Sequence, residues 1–169
     1  IGRFQVVKFD RDGHFLSTIG KVGDTPGHFA RPKGTAIDRE GRLYAVDAAF
    51  NNVQIFSPEG RLLMFFGDAG LGPGGLMLPA KVAIDDQNIA YFRTYAAPEF
   101  EIEYLVLVTS QFGERKLSVY GYGQEKGKHY PTEDELRQQI EERRRKEIEK
   151  IEREKAESAT PPPGKPESR

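Results

Sequence analysis

The chain has 169 residues, of which 30% are charged, and it contains no cysteine. Without cysteine it has no disulfide, no thiolate zinc site, no thiol nucleophile and no covalent attachment point for haem. Its net charge of −1 predicts no strong capture of nucleic acid or an anionic membrane, and no apolar run approaches the roughly 18 residues that cross a bilayer. Because the chain begins at Ile1 rather than Met, we expect further sequence upstream in the intact protein.

A repeat with a period of 47 residues runs through the first part of the chain. Val6–Phe9 and the later Gly20 recur as Val53–Phe56 and Gly67. The same offset relates Gly13 to Gly60, Pro32 to Pro79, Ala36–Asp38 to Ala83–Asp85 and Tyr44 to Tyr91.

A third copy of the repeat is fainter. Val53–Ile55 matches Val106–Val108, and Gly60 matches Gly113, at an offset of 53. This alignment predicts that six extra residues lie in the stretch Tyr95–Glu103.

Each repeat is predicted to form four short strands, because apolar runs of four to seven residues alternate with glycine-containing turns. Four strands per 45 or so residues are typical of one blade of a β-propeller. The chain opens with the last two strands of a blade, Phe4–Phe9 and Phe15–Ile19, and two whole blades follow, Lys33–Phe66 and Ala80–Tyr120. In the first of these the predicted strands are Lys33–Asp38, Arg42–Asp47, Asn52–Phe56 and Leu62–Phe66.

The stretches Pro32–Asp47 and Asn51–Gly60 resemble the NHL repeat, a family that builds six-bladed β-propellers. The predicted fold class is therefore all-β: a partial NHL-type propeller of about two and a half blades, with four antiparallel strands per blade, followed by a long charged α-helix. A closed six-bladed ring needs roughly 250 residues. We therefore expect the missing blades to come from the upstream part of the same protein or from another chain.

The predicted domain division is propeller at 1–124, linker at 125–132, charged helix at 133–157 and a disordered Pro-rich tail at 158–169. Thr132 and Glu135 form a capping box at the start of the helix. Its few apolar residues follow one stripe that Arg144 interrupts. The stripe is either part of a solvated, salt-bridged helix or a docking surface for a partner, and it consists of Leu136, Ile140, Ile148 and Ile151.

The sequence predicts no catalytic, cofactor-binding or metal site. The three histidines, His14, His28 and His129, occupy separate loops without metal-ligand spacing. Asp38, Asp47 and Asp85 stand at strand ends, where a carboxylate caps the backbone of a turn. We therefore expect structural roles for these side chains.

Aromatic residues cluster around the predicted insertion. Tyr95 and Phe100 have no counterpart in the preceding repeat, and exposed aromatic side chains on loops supply contact area to partners. They are the predicted partner-binding residues of the propeller. The alternative is a local core beneath a longer loop.

Three functions follow as hypotheses. The first is a non-catalytic binding scaffold, and here the segments Tyr91–Pro98 and Tyr104–Gly123 resemble uncharacterised bacterial NHL-propeller proteins. That resemblance implies export to the periplasm or cell exterior and a multihaem c-type cytochrome, or its filament, as partner. The second is an enzyme of the propeller lyase or lactonase type, with a channel metal held by the missing blades. The third is an RNA-binding NHL module. Residues 1–124 contain 13 basic and 14 acidic residues, and this balance disfavours RNA binding.

Overall fold

The computed structural model describes residues 3–70 and 72–158, with the backbone alone at 133 and 154–158. The chain divides after Lys126 into two compact units. The first is built mainly of strands, and the described part of the second contains a long helix. None of the described helices has the length and apolar character that crossing a membrane requires.

The first unit contains three antiparallel sheets whose strands follow one another in chain order. The first sheet pairs β1 (Val6–Phe9) with β2 (Phe15–Ile19). The second contains β3 (Pro32–Ile37), β4 (Leu43–Asp47), β5 (Asn52–Phe56) and β6 (Leu62–Phe66). A short parallel pair follows, β7 (Asp68–Ala69) and β8 (Gly75–Leu76). The third sheet contains β9 (Pro79–Asp85), β10 (Phe100–Ser110) and β11 (Leu117–Glu125).

The architecture is the predicted partial propeller followed by a C-terminal helix. β2, β5 and β6 have the predicted bounds. β1 begins two residues and β4 one residue later than predicted, and β3 begins and ends one residue earlier. The second sheet is a complete four-stranded blade, whereas in residues 3–31 the structure describes the two outer strands of the first.

Polar turns close the hairpins. Between β3 and β4, the Asp38 carboxylate accepts hydrogen bonds from the backbone N–H groups of Glu40 and Arg42 at 3.1 and 2.8 Å. Gly41 follows with a φ of +79°, a conformation that glycine adopts without steric cost. Asp10 caps the turn between β1 and β2 in the same way, because its carboxylate accepts a hydrogen bond from the backbone N–H of His14 at 2.8 Å. The capping role predicted for Asp38 is confirmed.

β4 is buried along its whole length because its two faces pack against different neighbours. Tyr44 and Val46 belong to a core with β9 and β10, while Leu43 and Ala45 belong to a second core that includes Ile19 of the first sheet. Successive side chains of a strand point to opposite faces, so this division follows from the twofold period of the strand.

β3 and β9 lie side by side and approach closely at Gly34. A Cβ atom built at Gly34 would lie 2.8 Å from the backbone oxygen of Ala80 and 2.8 Å from the Cα of Lys81. Because backbone atoms cannot move aside as a side chain can, this contact requires glycine. Gly34 therefore determines how closely the second and third sheets pack.

The first sheet lacks a partner along one edge of β1 in the described residues. As a consequence, Ile37 on the adjacent β3 is 65% exposed. The residue at the same repeat position in the third sheet, Ile84, is packed against the core because β3 and β4 stand beside it. The exposed side of β3 thus marks where a preceding pair of inner strands would pack.

The third repeat differs from its prediction. Pro32 pairs with Asp47 in the second sheet, and the equivalent Pro79 pairs with Ser110 in the third. Between these paired positions the third repeat therefore contains 16 extra residues, rather than the predicted six. The predicted match of Tyr91 to Tyr44 is wrong, because Tyr91 lies in a short helix outside the sheet, α1 (Ile89–Phe92). Within the part of the chain that the structure describes, the sheet also has three strands instead of four.

The length of the insertion explains the error. β10 takes the position of β4, and β11 that of β5, so the apolar segment Val106–Val108 pairs directly with β9 rather than one strand further out. Neighbouring strands of a sheet show the same apolar alternation. The offset of 53 therefore aligned this segment with the strand one position further out in the sheet.

The second unit contains helix α2, Glu133–Ser158. The predicted capping box is present: the Thr132 hydroxyl accepts from the Glu135 backbone N–H at 3.3 Å, and the Glu135 carboxylate accepts from the Thr132 N–H at 2.7 Å. Lys146 pairs with Glu142, one turn before it on the helix, at 2.7 Å. The remainder of the predicted Pro-rich tail, 159–169, lies outside the described residues.

Candidate partner-binding site

An inserted segment between β9 and β10 sets the third sheet apart. The second sheet makes the same connection with the tight turn Asp38–Arg42, whereas the third contains a helix α1, Ile89–Phe92, and a 3-10 turn, Arg93–Tyr95. Asp85 closes the start of the insertion by accepting from the Gln87 and Asn88 backbone N–H groups at 2.7 and 3.2 Å. The sheet does not need the extra length, since the second sheet reverses direction in a few residues.

Three aromatic rings of the insertion contact one another. The ring centroids of Tyr91 and Phe92 are 5.1 Å apart, and that of Tyr95 lies 6.0 and 6.2 Å from those two. Such edge-on and tilted contacts stabilise the cluster without removing it from solvent. Tyr91 is 66% and Tyr95 74% exposed, so the cluster presents large apolar surface to solvent.

A groove of about 300 Å³ separates this cluster from the face of the third sheet. Tyr95 and Phe92 line one side and Val119 of β11 the other, with Ile102 and Leu105 also in its wall. Leu105 is 1% exposed even though the second sheet packs against the opposite face of β10. The insertion therefore covers part of the outer face of the third sheet and leaves an apolar channel open beside it.

The structure brings the two predicted contact residues of the propeller to this groove. Tyr95 is exposed at its rim, and Phe100 is half-buried in its wall. Phe100 lies at the start of β10 and not in the insertion, which corrects the predicted position of the extra residues. The partner-binding role of both residues stays a prediction.

The charged residues that line the groove are both carboxylates, Glu99 and Glu125. Gly121, which pairs with Leu105, also lines the wall and contributes no side chain. A Cβ atom there would contact Ile102 at 3.3 Å and Phe100 at 3.7 Å, so any larger residue would narrow the groove.

A polar network lies between the second and third sheets near the same end. Arg42 donates to Asp38 at 2.6 Å, to the Tyr122 hydroxyl at 2.7 Å and to the Tyr104 hydroxyl at 3.0 Å. Its guanidinium also lies 4.7 Å from the centre of the Tyr122 ring, which stacks on Tyr104. Tyr44 hydrogen-bonds Tyr104, hydroxyl to hydroxyl, at 2.5 Å.

The network perturbs the ionisation of its members. Burial raises the pKa of Tyr44 to about 12, and burial together with the Tyr44 hydrogen bond raises the pKa of Tyr104. Burial of Asp38 opposes its ionisation, but the hydrogen bonds from Arg42 outweigh this and hold the pKa of the carboxyl below its usual value. The donors and acceptors of Arg42, Asp38 and the tyrosines thus satisfy one another, as a structural link requires.

Sequence reasoning did not identify this network. The available signal was Arg42 directly after the turn glycine, two residues before the inward-facing Tyr44. Its partners Tyr104 and Tyr122 lie on strands whose register the insertion had obscured.

The other side chains considered as ligands or catalysts have structural surroundings. The buried Asp47 carboxylate accepts from the backbone N–H groups of Ala30 and Arg31, each at 2.8–3.1 Å. His28 contacts Thr25 within its own loop at 2.7 Å. Among the described residues, Asp10, Asp12 and His14 are close enough to share an ion, but the Asp10 carboxylate is occupied by the backbone of its own turn.

The four predicted contact residues of the helix are exposed on α2. Leu136, Ile140, Ile148 and Ile151 are each roughly half accessible. Thus the structure leaves their apolar stripe uncovered within the second unit, and their docking role stays a prediction.

Comparison with characterised proteins shows similarity to two NHL-repeat proteins. Protein brain tumor of Drosophila melanogaster is 27% identical over 96 residues, which are 57% of this chain and 9% of that protein. Protein lin-41 of Caenorhabditis elegans is 38% identical over 48 residues, or 28% of this chain and 4% of that protein. The chain thus spans a small part of either relative. No protein-family profile matches it.

Proposed function

We propose that this protein is a non-catalytic, protein-binding propeller scaffold whose partner contacts the groove beside the aromatic insertion. The observation that carries the proposal is the exposure of Tyr91 and Tyr95 on a segment that the sheet does not need for its fold. Aromatic side chains held on a rigid scaffold supply large contact area at low entropic cost. Similarity to NHL-repeat proteins favours a binding module over an enzyme.

The charged helix is a second contact element in this proposal. Leu136 and Ile140, then Ile148 and Ile151, form two apolar pairs on a highly charged helix, a pattern that suits docking into a partner groove. The arginine between the pairs, Arg144, requires a polar or acidic group opposite it.

We further propose that the partner belongs to an exported assembly and is a multihaem c-type cytochrome or its filament. This finer assignment rests on the resemblance of Tyr91–Pro98 and Tyr104–Gly123 to bacterial NHL-propeller proteins. The same resemblance implies a periplasmic or extracellular location. Because this chain has no cysteine, c-type haem would be attached to the partner alone.

Site-specific cross-linking tests the proposal. Replacing Tyr95 with a photoreactive phenylalanine analogue in the producing organism is expected to yield a protein adduct of defined mass. The matched control is the same analogue at Phe112, an aromatic residue that is 57% exposed in another loop. Absence of an adduct at Tyr95 above the control would contradict the protein-binding role, and haem staining of the adduct tests the cytochrome assignment.

RNA binding is the alternative that the similarity to NHL-repeat proteins favours. It predicts an affinity for single-stranded RNA that falls steeply with salt concentration, since phosphate contacts release counterions. We expect instead weak binding with no sequence preference. A tight, strongly salt-dependent complex would replace the protein-binding proposal.

A further inference from the structure

One face of α2 carries a short row of residues in the order apolar, basic, acidic, apolar. The row consists of Ile140, Arg144, Glu147 and Ile151, which follow one another at intervals of four, three and four residues. Residues at this spacing share one face of a helix and form the seam between paired helices. All four side chains are exposed, so no described residue of the second unit covers the row.

The two charged residues of the row are unpaired within the helix. The neighbouring Arg145, which points away from the row, lies 3.9 Å from Glu149 one turn further along. Among the residues that the structure describes, neither Arg144 nor Glu147 has an ion-pair partner. A surface that docks on this row must therefore offer an acidic group to Arg144 and a basic group to Glu147, since unpaired charges resist burial.

A second copy of the same helix meets this requirement. In the opposite direction the order of the row is apolar, acidic, basic, apolar, which is the complement of the forward order. When two copies of α2 run antiparallel, Ile140 of each copy lies opposite Ile151 of the other. In the same register Arg144 of each copy lies opposite Glu147 of the other, because both pairs are centred on the same point of the helix. Parallel helices would instead oppose like charges.

The symmetry of the row favours a second copy over an unrelated partner. A two-fold contact requires each residue to face its complement at the symmetry-related position, whereas a different protein imposes no such relation between the two ends of the row. Leu136 and Ile148 lie on opposite sides of the row and are 44% and 56% exposed, so they widen the apolar surface of the contact.

We propose that α2 is a self-association element through which two copies of this chain pair as antiparallel helices. Ile140 packs on Ile151 and Arg144 pairs with Glu147 in each half of the contact. This inference rests on the proposed function in so far as it specifies what the helix docks on. It does not depend on the groove beside Tyr95.

Sedimentation velocity over a wide range of protein concentration tests the inference. The full chain is used with Ile37→Lys, so that the exposed side of β3 does not contribute to association. We expect a reversible monomer–dimer equilibrium. Arg144→Glu should weaken it about tenfold, because glutamates would then face each other in both polar layers. Arg145→Glu is the matched control, since it makes the same charge change on the opposite face and should leave the equilibrium unchanged.

A mixing experiment separates pairing from simple loss of the helix. Glu147→Arg alone should weaken association as Arg144→Glu does. An equimolar mixture of the two single variants should recover it, because an arginine faces a glutamate in both polar layers of the mixed dimer. A variant whose helix had failed to form would give no recovery.

A nitroxide attached to Gln139→Cys reports the direction of the helices, since the chain has no other cysteine. When this chain is mixed with an isotope-labelled copy, the amide signals of the copy should broaden near Glu152, the position opposite Gln139 in the antiparallel register. Broadening near Gln139 would indicate parallel helices.

The inference is refuted by a monomer at all concentrations, by equal effects of Arg144→Glu and Arg145→Glu, by failure of the mixture to associate, or by broadening near Gln139. A protein cross-linked at Tyr95 together with any of these results would leave the scaffold function intact. Conversely, a confirmed antiparallel dimer without a Tyr95 adduct would support the self-association of α2 and contradict the proposed groove contact.

Discussion

At the scale of single residues, Arg42 is the principal polar link between the second and third sheets. It satisfies the buried carboxylate of Asp38, two tyrosine hydroxyls and the face of one tyrosine ring at once. A guanidinium suits this position because its planar donors reach several acceptors in fixed directions. Together with the Glu40 carboxylate, these partners occupy four of its five N–H donors, as expected of a structural residue.

Arg42→Met should destabilise the first unit by about 3 kcal/mol, because it leaves the Asp38 carboxylate buried without its partner. Urea unfolding followed by tyrosine fluorescence measures the change. Arg39→Met is the control: the Arg39–Asp86 pair is solvent-exposed, and its loss should have little effect. Equal effects of the two variants would contradict the structural role of the network.

The tyrosines of the network predict an alkaline limit to stability. Burial raises the pKa of Tyr44 from 10.0 to about 12, so the unfolded chain loses this proton at lower pH than the folded protein does. The stabilisation is complete below pH 10 and disappears as the pH rises to about 12. Thermal unfolding from pH 8 upward should show this decline, and Tyr44→Phe should flatten it even if it lowers stability at neutral pH. An unchanged slope in the variant would refute the assignment.

At the scale of elements, the close approach of β3 and β9 depends on a missing side chain. Gly34→Ala should cost about 2 kcal/mol, since the added Cβ overlaps backbone atoms of β9 and the sheets must separate. Differential scanning calorimetry measures the loss. Gly70→Ala is the matched control, as a Cβ there meets nothing closer than 3.9 Å. A neutral Gly34→Ala variant would show that the sheets are less tightly packed than described.

The strands of the second sheet could be predicted within one residue at each end because three local signals agree there. These are apolar alternation, a polar residue at the start of each turn and a glycine at its end. The start of α2 could be predicted for the same reason, since the capping box is local. These signals need no knowledge of which strands pair.

The third sheet could not be assigned in this way. β9, β10 and β11 are apolar runs that are recognisable as strands, but their order in the sheet depends on where the 16 residues of insertion leave and rejoin it. Apolar alternation carries no such information. The candidate site was partly foreseen through Tyr95 and Phe100. The groove was not, because its walls come from β10, β11 and the insertion, which only the register brings together.

At the scale of the whole molecule, we expect the exposed face of β3 to promote self-association wherever no preceding blade covers it. Ile37 is 65% exposed beside the unpaired edge of β1, and open edges next to apolar surface promote association. Ile37→Lys should shift the protein toward monomer in sedimentation velocity without lowering its melting temperature. Ile84→Lys, at the same repeat position but packed against the core, should instead lower it markedly. Unchanged association in the Ile37 variant would locate the contact elsewhere.

The burial of both faces of β4 has a consequence for how the molecule opens. The apolar residues on one face of this strand contact the third sheet, and those on the other face share a core with the first sheet. The second sheet therefore cannot loosen without uncovering the cores on both sides. Amide protons of β4 and β5 should therefore exchange only through concerted unfolding of all three sheets, as in repeat proteins whose stability resides in the interfaces between units. The second sheet is then the centre of cooperativity, and the flanking sheets can fray while it stays closed.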